Sequence, residues 1–176
     1  MIIKICREND EVLYPEEDLV LLQPADLEEL KRLAELNPRR RVRLCAHQTP
    51  SDNLHEMFIV HMSGCYVRPH KHIGKVESIF VLEGEVDIVL FDEGGQVTSA
   101  HRMAAPGSGS VFFQRLAKPV YHTLIIRSDF VVFHEITEGP FRREDTIFPR
   151  WAPEAEGWEA TKYITDVELQ IKELGL

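Results

Sequence analysis

Residues 64–84 read Gly64-Cys-Tyr-Val-Arg-Pro-His70-Lys-His72-Ile-Gly-Lys-Val-Glu77-Ser-Ile-Phe-Val-Leu-Glu-Gly84. Along an extended strand, side chains at i and i+2 share a face, so His70 and His72 can present two imidazoles to one ion while Lys71 faces away. A four-residue loop containing Gly74 leads to Glu77 at the head of the next strand, where a carboxylate can complete the set. Glu77 is either a direct ligand or a carboxylate that orients a ligating histidine. Imidazole with carboxylate oxygen suits Fe(II), Mn(II), Ni(II), Co(II) or Zn(II), and the spacing selects none of them. A polar strand end with coincidental spacing is the bland alternative.

Outward from this stretch the texture is that of short strands. From Arg41 onward, β-branched and aromatic runs are each closed by Gly, Pro, Asp or Asn: 42–46, 56–62, 65–68, 78–82, 85–91, 97–103, 110–114, 121–127 and 130–136. Such spacing, with no helical pattern between the runs, predicts an antiparallel β-sandwich or barrel. Hairpin turns are expected at Glu83-Gly84 and at Asp92-Glu93-Gly94-Gly95. Before the strands, Leu27, Leu30, Leu33, Ala34 and Leu36 fall on one face of an amphipathic helix from Pro24 to Asn37. After them, Phe141, Phe148, Trp151 and Trp158 are expected to anchor an irregular covering segment. A short last helix is expected over Asp166–Leu174, from the Thr165/Glu168 capping pattern. The expected organisation is a single domain, 1–176: an N-terminal strand and helix (1–38), a β-barrel core (39–137) and a C-terminal covering segment and helix (138–176).

The 176 residues carry 20 Lys+Arg against 29 Asp+Glu. The excess acid sits in the flanks, while 37–150 is close to neutral and holds all eight histidines. A net charge of −9 argues against a nucleic-acid partner, which requires clustered Lys/Arg. Three cysteines without a C-x-x-C spacing provide no disulfide framework, and a reducing compartment is expected. No apolar run reaches the roughly 18 residues of a membrane span, and the start lacks a signal peptide, so the reading is a cytoplasmic protein without a membrane partner.

The pattern G-x5-H-x-H-x4-E-x6-G resembles the first signature of the cupin superfamily, filled by Gly64, His70, His72, Glu77 and Gly84. The second signature is poorly kept: Pro119 stands where a glycine is expected and Ile126 replaces an asparagine, but His122 supplies its histidine. Alternation puts His122 on one face with Leu124 and Ile126, as for a ligand projecting into an aliphatic barrel. The segments Arg39–His47, Asn53–Val60 and Val132–Phe141, with the hairpin VLFDEGGQV and the WAPE that follows, resemble the WbuC-type cupin-fold metalloproteins. That resemblance implies a jelly-roll barrel, a metal held by His70, His72, Glu77 and His122, and an association with surface-polysaccharide (O-antigen) metabolism.

Other polar residues are weighed individually. His47, at the end of the arginine-rich strand, is a pocket candidate, whereas His55, His61, His101 and His134 are expected to be packing or surface residues. The run Arg39–Arg43 reads most simply as a solvated edge. If its alternate face meets the barrel mouth, Arg41 and Arg43 suit a carboxylate or phosphate. Tyr66, Arg68 and Phe58 are further pocket candidates, with core packing as the default. The function expected is a metal-dependent enzyme with isomerase-like chemistry on a small anionic or carbohydrate-type ligand, such as a sugar or sugar acid. The alternatives are a non-haem Fe(II) dioxygenase and a non-catalytic binding module. A homodimer is expected, with the N-terminal MIIKI strand exchanging between partners' sheets.

Overall fold

Two long strands define the architecture of the computed structural model, which describes residues 4–175. In chain order the elements are β1 (Ile5–Arg7), β2 (Val12–Pro15), α1 (Pro24–Leu36), β3 (Arg41–Cys45), β4 (Leu54–Met62), β5 (Lys71–His72), β6 (Glu77–Phe91), β7 (Val97–Ala104), β8 (Phe113–Leu116), β9 (Tyr121–Glu138), β10 (Thr146–Ile147) and α2 (Trp158–Glu173). The main sheet runs β1-β2-β3-β4-β9-β6-β7, with β8 also on β6, and a small ribbon pairs β5 with β10. This is the mainly β sandwich expected from the strand spacing, antiparallel except for the β2–β3 pair that α1 connects, with a second helix after it.

Glu83-Gly84 is not a hairpin. β6 continues through it, as β9 continues through Ser128–Phe130, and the two stay paired with register shifts at Val81/Glu83 and Gly84/Val86. The early half of β6 pairs with the late half of β9 and with β8; its late half pairs with the early half of β9 and with β7. Gly84 is required at the bend, since its φ is +77° and a Cβ would fall 2.1 Å from the Phe130 carbonyl oxygen. The bend folds the two halves face to face. Met57, Ile59, Ile79 and Phe133 from one half pack on Val86, Ile88, Met103 and Leu124 from the other. The expected hairpin at 92–95 does join β6 to β7, with the Asp92 carboxylate accepting from the Gly94 and Gln96 amides.

The helices cover opposite outer faces. α1 packs Leu30 and Ala34 on Val42, Leu44, Val60 and Val132. α2 packs Val167 and Ile171 on Val89, Phe91, Val97 and Ile125. It starts eight residues earlier than expected because Ala160, Tyr163 and Ile164 extend its apolar stripe; Thr165 lies inside it, its hydroxyl donating back to the Thr161 carbonyl (3.0 Å). Of the expected anchors, Trp151 packs against Phe91, Tyr121 and Tyr163, whereas Phe141 and Trp158 are largely exposed. The arginine-rich β3 is not an edge: it lies between β2 and β4. Residues 1–3 of the expected MIIKI strand lie outside the described residues, and the described part enters the sheet as β1 on β2.

Candidate metal centre

The four signature residues reach one point from separate parts of the chain. His70 and His122 exchange two backbone hydrogen bonds (3.0 and 2.9 Å), which brings the segment before β5 against the start of β9. His72 is held by the β5–β10 ribbon opposite Thr146, and Glu77 opens β6. Among the described residues, His70, His72, Glu77 and His122 form a group whose ligand atoms all lie within 4.8 Å of one another. Lys71 points away, as alternation requires, to Glu93 (2.6 Å) and the Tyr121 ring.

Each ring is oriented through its other nitrogen. His70 Nδ1–H donates to the Arg68 carbonyl (2.8 Å) and His122 Nδ1–H to the Val120 carbonyl (3.0 Å). A carbonyl only accepts, so the tautomer leaves Nε2 to face the group. His72 Nδ1 meets the Thr146 hydroxyl at 3.2 Å. His72 Nε2 lies 3.1 Å from one Glu77 carboxylate oxygen and His122 Nε2 3.4 Å from the other. The electrostatics divide the site. Burial, reinforced by the neighbouring His122, pushes the His70 pKa down to about 3, so that ring is neutral. Burial also opposes charge on His122 and Glu77, but their mutual hydrogen bond outweighs it, raising the histidine and holding the carboxyl well below its usual range. Beside the group lies a cavity of about 10 Å³, room for one water-sized group, between His72, Glu77 and His122 on one side and Lys75, Leu116, Lys118 and Val120 on the other.

Three residues at this site escaped the sequence reading. Gln114 on β8 donates to Glu77 (3.4 Å), Thr146 backs His72, and Glu135 on β9 lies two residue pairs deeper than Glu77, on the same face. Burial and the Glu77 charge raise the Glu135 pKa to about 8. No local spacing links these positions to the signature; only strand alternation on β8 and β9 could have indicated that they face inward.

The other candidates lie elsewhere. His47 stacks on His55 (centroids 4.0 Å apart, planes 8° apart), with Tyr14 at its edge. Arg41 is taken by Glu11 (2.8 Å) at the end of the sheet away from Glu77, level with His61. Arg43 lies one turn of the pleat nearer the Glu77 end than Arg41 and makes no ion pair among the described residues. Tyr66 donates to the Pro153 carbonyl (2.9 Å) and Arg68 to the Pro149 carbonyl (3.2 Å), so both tie down the C-terminal segment. Phe58 lies on the opposite, outer face, stacked on His134. His61 is buried, its pKa pushed to about 3 by desolvation and the nearby arginines, and His101 is exposed.

Residues 22–103, less than half of the chain, match a family described as a domain of unknown function (DUF6016). No curated protein matches. Among solved structures, the chain is similar to oxalate decarboxylase from Bacillus subtilis, at 15% identity over 61% of this chain and 27% of that one, with a TM-score of 0.48. It is also similar to a sugar phosphate isomerase from a cupin superfamily of Silicibacter pomeroyi (16% identity, 50% of this chain and 52% of that one, TM-score 0.41). A third is CapF in complex with 3-isopropenyl-tropolone (15%, 61% and 31%, TM-score 0.48). The chain spans about a quarter of the oxalate decarboxylase length. These are likenesses of fold, and they assign no chemistry to this chain.

Proposed function

We propose that His70, His72, Glu77 and His122 hold one divalent transition-metal ion, and that the chain is a WbuC-type, metal-dependent cupin enzyme acting on a small anionic or carbohydrate-type substrate with isomerase-like chemistry. The observation that carries this reading is the tautomer arrangement: Nδ1 of each imidazole is occupied, while Nε2 is left for a centre shared with a carboxylate. The positive charge that Glu77 draws onto His122 is one a divalent ion would supply instead. Such an ion, when bound, polarises a carbonyl or acidifies a water.

The chain's own residues do the rest. Gln114 orients Glu77, Leu116 and Val120 form an apolar wall, and the exposed Lys118 offers an ammonium to an anionic group entering the cavity. Glu135 is a carboxyl able to hold a proton near neutral pH two residue pairs below Glu77. A second reading, a non-catalytic module that holds a metal and a small anion, is favoured by the cavity's size, which admits a single water-sized group.

The test is the metal content of protein purified without added metal, for the wild type and for His72→Ala. About one equivalent in the wild type and loss in the variant is expected; an empty wild type or an unchanged variant sinks the site. Turnover of a panel of sugars and sugar acids then separates enzyme from module. With iron bound, oxygen uptake would identify a dioxygenase.

A further inference from the structure

The outer face of the sheet, opposite the metal centre, carries an unusual rung. Phe58, His134, Phe80 and Phe113 are direct partners across four adjacent strands, β4, β9, β6 and β8. Phe58 stacks on His134 at 4.7 Å, and Phe112 packs edge-on to Phe80 at 5.4 Å. α1 covers the next row at Val42, Val60 and Val132 and the β3 end of this one at Leu44, with Phe58 packed at its edge, and leaves the β9, β6 and β8 part open. The two ends of the rung have opposite shapes. At the β8 end, Val111, Phe112 and Phe113 form a ridge, each exposed by more than 40%. At the β4 end lies a groove of about 630 Å³ with Phe58 and His134 in its floor, Val20 and Leu22 in its wall and Asp18 and Glu56 at its rim.

We propose that this face is the interface of a homodimer, a second copy of the chain packing face to face about a two-fold axis that runs along the strands between β9 and β6. That operator places the ridge of each copy in the groove of the other, the reciprocal fit an isologous contact requires. The charges agree. Glu56, Ile136, Ser78 and Arg115 form the adjacent row across the same four strands, so the operator sets Glu56 of each copy against Arg115 of the other. Arg115 is exposed and makes no ion pair among the described residues. An aromatic centre with a charged rim is the composition of stable interfaces, which bury about 800 Å² per partner. β8 would then serve two purposes: Phe113 and Arg115 face the other copy, while Gln114 and Leu116 face the metal centre.

The test is the mass in solution, by sedimentation or light scattering, at protein concentrations up to about 100 µM. The wild type is expected to be a dimer, and Phe112→Asp with Phe113→Asp to raise the dimer dissociation constant by about 100-fold or more, with unchanged far-UV circular dichroism. Arg115→Glu or Glu56→Arg alone should weaken it by about tenfold, and the two together should restore it. This charge swap keeps the test decisive even if the phenylalanine variant misfolds. A monomeric wild type, a persistent dimer in the phenylalanine variant, or a swap that fails to restore pairing overturns the proposal.

Discussion

Two groups of histidines occupy the same end of the sandwich, and only one of them converges. His55 pairs across β9 Thr137 with Glu77, so the His47/His55 stack and the His70/His72/His122 group are separated by only two strand spacings, roughly 10 Å. In the convergent group a carboxylate sits among rings whose Nδ1 atoms are engaged. In the stacked pair the rings lie flat on each other, and among the described residues His55 Nε2 has no hydrogen-bond partner. His61 is a third arrangement, alone beneath arginines. Burial is common to all three. What distinguishes the convergent group is the tethering of each ring from behind and the negative charge in front.

That contrast can be broken or sharpened by substitution. The largest effect is expected from His72→Ala or Glu77→Ala, which should lower metal affinity by more than about 100-fold in an isothermal titration. Next comes the lone histidine. His61 is held neutral with a pKa of about 3 against an ordinary 6.5, so the stability it contributes is full above pH 6.5 and is lost as pH falls from 6.5 toward 3. At pH 4.5 the loss is about 3 kcal/mol, and His61→Phe should show a correspondingly shallower fall in melting temperature between pH 6.5 and 4.5. An equally steep fall in the variant would reject this account.

A smaller effect, about tenfold in metal affinity, is expected for Thr146→Val and for Gln114→Leu, which loosen a ring or carboxylate without removing a ligand. His47→Ala should leave metal stoichiometry and affinity unchanged. A loss of metal there would mean that the two groups act as one site.

The convergence of His70, His72 and Glu77 was legible because a strand, a short loop and another strand carry them within eight residues. α1 and the 92–95 turn were legible for the same local reason. Continuity of β6 through Gly84 was not, since a glycine with positive φ marks a turn and a bend alike, and only the pairing of β6 with β9 decides between them. Gln114, Glu135 and Thr146 were hidden because their meaning depends on partners 37, 58 and 74 residues away in the chain. For Phe58 the default of core packing held, against the cluster under α1, while the pocket alternative failed for the same limit: alternation shows that it differs from its neighbours Met57 and Ile59, but not which face meets the candidate metal centre.

The two strands that pass through both halves of the sandwich have a consequence for how the molecule opens. Because β6 and β9 remain paired on both sides of the Gly84 bend, neither half can lose its ladder without disturbing the other. Hydrogen exchange should therefore protect the amides of Ile79 and Val81 as strongly as those of Val86 and Ile88, with exchange occurring through whole-barrel opening alone. A centre assembled from such a frame keeps its donors in place against local breathing, and whatever plasticity the protein has is left to the β5–β10 ribbon that carries His72.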